Sequence, residues 1–177
     1  VGHISKENVF VNNLLPSFHF TAQLLTIKPE KATSDGVSGV KKGDYFVDLK
    51  HIENKINPNV NALIIKTQQD YSSLHDKTYN NTNWPYLTEN AAGYIRDSRI
   101  LHLLIDQPSV DKEFDDGKLL AHKAFWNYPN IIDSKRTITE LIGIPDGVPD
   151  GLYLLNLSLS NIENDASPSR PVIYKLY

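Results

Sequence analysis

The stretch Val60–Lys66 reads VNALIIK and decides the fold class. Its short apolar run predicts a buried β-strand. Ile100–Ile105 (ILHLLI) has the same character and ends at Asp106. Working outward from these two runs, apolar and β-branched residues predict further strands over Phe20–Lys28, Gly151–Leu159 and Pro171–Tyr177.

Short helices are predicted between these strands. In Asp48–Ile56, apolar residues recur at spacings of three and four, and Asp48 is suited to the N-cap. Thr88–Arg96 begins with a threonine cap, and Gly117–Trp126 has helical spacing of its apolar residues. Strands that alternate with helices indicate a mixed α/β fold, with a central mixed or barrel-like sheet and flanking helices.

Length and composition limit the classes of protein that fit. The 177 residues suit one domain, residues 1–177, and the composition is ordinary for a globular chain. The net charge of −3 offers no basic excess for nucleic acid, and no apolar run reaches the roughly 20 residues of a membrane span. Cysteine is absent, which excludes disulfides and thiolate chemistry and leaves histidine, carboxylate, backbone or water as metal ligands.

The N-terminus is unusual for a complete gene product, because the chain starts at Val1 and contains no methionine. No signal peptide begins at Val1. We therefore expect a cytoplasmic protein whose domain is truncated at the N-terminus.

The second half of the chain carries short motifs in a fixed order. Ala62–Thr67 (ALIIKT) ends a strand in threonine, and Pro85, Leu87, Ala91 and Ala92 form a helix-start pattern. Then follow Ile105–Asp111 (IDQPSVD), His122, Glu140 and Asp165–Pro171 (DASPSRP).

This order resembles the cyclase family of metal-dependent hydrolases, which includes bacterial kynurenine formamidase and isatin hydrolase. The resemblance covers roughly Val60–Val172 and implies the cyclase-family fold. The family's motif His-x-Gly-Thr-His-x-Asp-x-Pro-x-His is absent, but Val1-Gly2-His3-Ile4 matches its end, with Val1 where the family often has proline. On this register the metal-binding part of the motif precedes Val1.

The resemblance implies a chemistry and a set of roles. His122 and Glu140 would be metal ligands or hydrogen-bond partners, His3 would transfer a proton, and the remaining ligands of a zinc or manganese ion would lie upstream of Val1. An imidazole suits both giving and taking a proton near neutral pH. The implied substrate is a small amide or formamide, with Tyr71–Tyr86 and Phe125-Trp126 as flat pocket walls. The alternative for the aromatic residues of Tyr71–Tyr86 is that they close the core. A homodimer or higher homo-oligomer is also implied.

One departure from the family concerns spacing. His122 and Glu140 are 18 residues apart (140 − 122), whereas the family spacing is usually shorter. Asn127–Arg136 (NYPNIIDSKR) is interpreted as an insertion; if it is part of the sheet instead, Glu140 is misassigned. Two ligands alone hold a catalytic ion poorly, so weak or absent metal binding is expected of residues 1–177.

Structural roles are expected for other polar residues. Asp106, Ser109 and Asp111 follow a buried strand, where short polar side chains bind backbone amides and cap the next helix. Arg170 is expected to form an ion pair with Asp165, and His102, within an apolar run, is expected to be buried. Two other classes of function stay open: a non-catalytic relative that binds a small molecule or partner, and a structural subunit.

Overall fold

The computed structural model describes residues 4, 9–36, 39–67, 71–72, 76–130 and 134–176. A 3₁₀ turn spans Val11–Asn13. The strands are β1 (His19–Thr26), β2 (Glu30–Lys31), β3 (Tyr45–Val47), β4 (Ala62–Lys66), β5 (Tyr86–Leu87), β6 (His102–Ile105), β7 (Thr137–Thr139), β8 (Gly151–Asn156) and β9 (Val172–Lys175). The helices are α1 (Leu49–Ile52), α2 (Glu89–Asp97) and α3 (Leu120–Trp126).

The main sheet is mixed and has the strand order β7-β6-β4-β1-β8-β9. The strands β1, β4, β6 and β7 run parallel to one another, while β8 pairs antiparallel with β1 and β9. A smaller sheet has the order β2-β3-β5. The predicted mixed α/β class with a central mixed sheet and flanking helices is therefore confirmed. No described helix is long and apolar enough to cross a membrane.

Two apolar clusters fill the two faces of the main sheet. The first joins Leu63, Ile65, Leu103 and Ile105 to the helices, and Phe125 on α3 is its largest fully buried side chain. The second lies on the opposite face and includes residues that alternate with the first set along the strands: Ala22, Leu24, Ile64, Leu104, Tyr153 and Leu155. Because β4 and β6 bury both faces, they read in the sequence as continuous apolar runs.

The predicted element boundaries differ from the observed ones mainly at helix ends. The helix predicted over Asp48–Ile56 ends at Ile52, because Glu53 adopts an extended conformation (ψ 133°) and Asn54 has a φ of 61°. The helix predicted from Gly117 begins at Leu120, after Leu119 with a φ of 50°. Positive φ angles are incompatible with a continuing right-handed helix, and they shorten both elements.

His102 is buried on β6, as the sequence predicts. Its ring centroid lies 4.0 Å from that of Phe20, and its Nδ1 lies 2.9 Å from Thr137 Oγ1. Only 2% of the residue is exposed, and this burial lowers the pKa of His102 to about 4. The folded protein therefore keeps this imidazole neutral down to about pH 4, whereas the unfolded chain protonates it below about pH 6.5.

We predict that His102 makes the stability of the protein pH-dependent between about pH 6.5 and 4. The unfolded state binds the extra proton in this window, so the free energy of unfolding falls as the pH falls, by about 3 kcal/mol for this group. Urea unfolding should show that the free energy of unfolding falls less over this pH window in His102→Gln than in the wild type. The control variant His19→Gln, at an exposed site, should show the same pH dependence as the wild type. The prediction is contradicted if the free energy of unfolding changes equally with pH in all three proteins.

Candidate active site

Polar side chains follow three neighbouring parallel strands at the edge where these strands end. Thr67 follows β4, Asp106 follows β6 and Glu140 follows β7. In open α/β sheets this edge is the usual place for ligands. Asp106 ties the ends of β4 and β6 together, because its carboxylate accepts hydrogen bonds from Thr67 N (2.8 Å) and Thr67 Oγ1 (2.6 Å).

Helix α3 brings His122 to the same region. His122 is 8% exposed, and its ring centroid lies 5.3 Å from that of Trp126. Its Nδ1 lies 2.5 Å from Asp111 Oδ2. The Asp111 carboxylate also accepts hydrogen bonds from Ala121 N (2.7 Å) and His122 N (3.3 Å) at the start of α3. The same carboxylate thus contacts both the backbone and the ring of this part of α3.

Glu140 faces the other nitrogen of that ring. The distance between His122 Nε2 and Glu140 Oε1 is 3.5 Å. Glu140 Oε1 also accepts a hydrogen bond from Val110 N at 2.8 Å. The following residue, Leu141, has a φ of 56°, and its N–H donates to Gln107 O at 2.8 Å. A leucine in the left-handed region is strained, and strain of this kind is often found beside functional residues.

The 18-residue separation does not keep Glu140 away from His122. Trp126 Nε1 donates to Arg136 O at 3.0 Å, so the two ends of the segment 127–136 lie close together. Its described residues, 127–130 and 134–136, contain no strand. The described part of this segment therefore connects α3 to β7 without adding a strand to the sheet.

His122 and Glu140 have the geometry of two ligands of one ion. Ligands about 2.1 Å from a tetrahedral Zn²⁺ are separated by about 3.4 Å, close to the observed 3.5 Å between Nε2 and Oε1. The Nδ1 contact with Asp111 is the arrangement usual for a metal-binding histidine, whose second nitrogen binds a carboxylate. Among the described residues, however, no group of three or more histidine, aspartate and glutamate side chains is placed to hold an ion. The described chain thus fits part of a metal site.

A cavity of about 950 Å³ lies beside this pair, and His122 and Glu140 both contribute to its wall. Most of the remaining wall is apolar and comes from the 3₁₀ turn region, the second core cluster and the segment that follows Glu140. The motif Asp165–Pro171 lines it as well. The volume is suited to a small organic ligand.

The aromatic residues predicted as pocket walls are divided between different places. Tyr71 and Trp126 line the cavity. The other expected wall residues do not: Phe125 is fully buried in the first core cluster, Tyr86 OH donates to Asp44 Oδ2 (2.9 Å), and Trp84 Nε1 donates to Asp111 O (2.9 Å). For these three the prediction is wrong, because their rings complete the packing of the fold. Residues 68–70 and 73–75 of this loop lie outside the described residues.

The remaining residues that the sequence predicts to have a role are His3, Asp106, Ser109, Asp111 and Arg170. His3 lies outside the described residues. Asp106 and Asp111 bind backbone amides as described above, and Ser109 Oγ accepts from Asp111 N at 3.1 Å, which is the kind of contact that the sequence predicts. Arg170 is exposed and lines the cavity together with Asp165. Their expected ion pair stays a prediction. Beside them, Ser169 Oγ donates a hydrogen bond to Ser158 O at 2.9 Å.

The sequence reasoning missed the bond between Asp111 and His122. It predicted that Asp111 would cap the next helix, which it does, and it treated His122 separately. The available signal was that the helix expected after Asp111 is the helix that carries His122.

Comparisons with known proteins agree with this fold. Residues 1–112 match the family model Cyclase, described as "Putative cyclase". One similar solved structure is described as a "Potential Metal-Dependent Hydrolase With Cyclase Activity"; it has a TM-score of 0.66 and 15% sequence identity, and the match covers 97% of this chain and 73% of that chain. Another is described as a "predicted metal-dependent hydrolase from Bacillus stearothermophilus"; it has a TM-score of 0.61 and 17% sequence identity, and the match covers 94% of this chain and 67% of that chain. Curated proteins give no match.

The family match ends before His122 and Glu140, while the two structural matches extend over nearly the whole chain. At 15–17% identity these structures establish a shared fold. The family match covers 112 of 177 residues, which is more than half of the sequence. The chain therefore belongs to the Cyclase family.

Proposed function

We propose that this protein is a metal-dependent hydrolase that acts on a small amide or formamide. The observation that carries the proposal is the 3.5 Å separation of His122 Nε2 and Glu140 Oε1 on the wall of a 950 Å³ cavity. The two similar structures, both described as metal-dependent hydrolases, support the same class of reaction. The resemblance of the motifs in this chain to the family that includes kynurenine formamidase supports the amide substrate.

His122 and Glu140 would hold a zinc or manganese ion together with ligands that precede Val1. When bound, such an ion lowers the pKa of a coordinated water molecule towards neutrality. A neutral imidazole and a carboxylate are suitable donors for either metal. Because Glu140 Oε1 is also held by Val110 N, the carboxylate keeps its orientation towards His122.

His3 would transfer the proton from the attacking water to the leaving amine. What supports this role is the resemblance of Val1-Gly2-His3-Ile4 to the end of the family's metal-binding motif. The apolar cavity wall would hold the organic part of the substrate, with Tyr71 and Trp126 offering aromatic surface.

The resemblance also implies self-association, and we propose a homo-oligomer. Exposed apolar side chains support it: Leu152 on β8 and Val172 and Tyr174 on β9 are 38–55% exposed, at the end of the sheet where β9 is the last strand.

The function is tested by measuring hydrolysis of N-formylkynurenine and other small aryl formamides with added Zn²⁺ or Mn²⁺, using the chain extended by its upstream-encoded residues. We expect metal-dependent turnover, and we expect a chelator to abolish it. The variant His3→Ala should lower the rate of turnover and leave metal binding intact. Metal binding without hydrolysis of any amide would contradict the proposal.

A second candidate is a non-catalytic relative that uses the same cavity for binding. It is favoured by the absence of a three-ligand group among the described residues. It predicts saturable binding of a small aromatic amide with no turnover and no metal requirement, which the same assay detects.

A further inference from the structure

Asp111 contacts the Nδ1 side of the His122 ring. The contact between Asp111 Oδ2 and His122 Nδ1 is 2.5 Å, and both residues are buried, at 4% and 8% exposure. At this distance two unprotonated acceptors would repel each other strongly, so a proton must lie between the two atoms. A carboxylate accepts hydrogen bonds and does not donate them, so the proton belongs to Nδ1.

A proton on Nδ1 has a consequence on the other side of the ring. In the neutral imidazole the second nitrogen, Nε2, then carries a lone pair. That lone pair points towards Glu140 Oε1, 3.5 Å away, which is itself an acceptor and already bonds Val110 N. In this tautomer two acceptors face each other at this distance, and a cation between them would relieve their repulsion.

The backbone contacts of Asp111 fix the carboxylate in this orientation. Its Oδ1 accepts from Ala121 N at 2.7 Å and its Oδ2 accepts from His122 N at 3.3 Å, while Asp111 N donates to Ser109 Oγ. The carboxylate therefore cannot rotate away from the ring without leaving buried N–H groups of α3 unpaired, which is costly.

We propose that Asp111 is a positioning residue that acts through His122, holding the proton on Nδ1 so that Nε2 presents its lone pair to Glu140 and the cavity. The use of this lone pair to bind a metal ion rests on the proposed function. The tautomer that it assigns is a property of the metal-free protein. A residue that only capped α3 would leave the tautomer unspecified.

The direct test is ¹⁵N NMR of the metal-free protein with ¹⁵N-labelled histidine, at a pH of about 8.5, where an ordinary imidazole is neutral. The His122 signals are assigned by their loss in His122→Gln. We expect the Nδ1-protonated tautomer at His122. If the wild-type ring is protonated on Nε2, or on both nitrogens, the proposal is overturned.

The variant Asp111→Asn tests the cause of this tautomer. Asparagine can keep the bond to Ala121 N through its oxygen, but its amide NH₂ then faces Nδ1. The ring should respond by moving its proton to Nε2. The matched control is Asp115→Asn: Asp115 binds Gly117 N (2.8 Å) and Leu119 N (2.7 Å) before the same helix, and none of its described contacts is with His122. If Asp111→Asn keeps the wild-type tautomer, Asp111 is only a cap and the proposal fails.

A second readout is Zn²⁺ affinity, which should fall by about 10–100-fold in Asp111→Asn and remain unchanged in Asp115→Asn. The two proposals fail separately. If every variant of the protein used for the hydrolysis assay fails to bind Zn²⁺ while the Nδ1-protonated tautomer is present, this counts against the metal-dependent function and leaves the assignment of Asp111 in place. Equal Zn²⁺ affinity in the wild type and in an Asp111→Asn variant with an altered tautomer would overturn the positioning role.

Discussion

Replacing His122 by alanine should lower the rate of amide hydrolysis by about 100-fold or more, because the variant lacks a side chain that is proposed to bind the metal ion. The variant removes Nε2, the nitrogen that faces Glu140 Oε1, and leaves the Asp111 carboxylate with one partner fewer. The measurement is kcat and KM for the best aryl formamide with saturating Zn²⁺ or Mn²⁺. Because the loss concerns the reaction itself, most of it should appear in kcat.

The matched control for this experiment is His19→Ala. His19 is exposed at the start of β1, its Nε2 contacts Asn156 Nδ2 at 3.0 Å, and it does not line the cavity. Its removal should leave the kinetic constants near those of the wild type. Thermal unfolding of both variants separates loss of activity from loss of fold, since His122 also packs on Trp126. A folded His122→Ala protein with wild-type kcat would show that this histidine has no part in the reaction.

Glu140→Gln is expected to remove metal binding while keeping the fold. Glutamine has nearly the same shape, and its side-chain oxygen can still accept the hydrogen bond from Val110 N. What it loses is the negative charge and one strong donor to a divalent ion. We expect Zn²⁺ affinity to fall by at least about tenfold, and hydrolysis to fall with it.

Isothermal titration calorimetry with Zn²⁺ checks this expectation. Glu113→Gln provides the comparison: Glu113 also accepts hydrogen bonds from backbone N–H groups, at Thr82 and Asn83, but it lies outside the cavity wall. Equal affinities for the wild type and Glu140→Gln would mean that the metal, if bound, lies elsewhere.

The sequence predicts the longer strands of the main sheet, including the edge strand β9, and misses the strands of two or three residues. Strands β4 and β6 are buried on both faces, so their apolar runs are visible in one short window. Strand β7 was missed because it has three residues, Thr137–Thr139, and it exists through its pairing with β6, about 35 residues earlier. A contact of that range leaves no local pattern.

The candidate site shows the same division. The closeness of His122 and Glu140 followed from the resemblance to the cyclase family, since nothing in their local sequence links positions 18 residues apart. The bond from Asp111 to His122 depends on how residues 112–119 turn, with positive φ at Asp116, Gly117 and Leu119, and such turns are specified by three-dimensional packing. The aromatic loop was misjudged because Trp84 and Tyr86 are equally suited to a pocket wall and to a buried hydrogen bond.

Anomalous X-ray diffraction at the zinc absorption edge, from crystals of the protein used for the hydrolysis assay grown with Zn²⁺, tests the central claim most directly. A site formed by His122 and Glu140 predicts an anomalous peak about 2.0–2.2 Å from both His122 Nε2 and a carboxylate oxygen of Glu140. A fully coordinated zinc ion at a position that includes neither side chain would contradict the account.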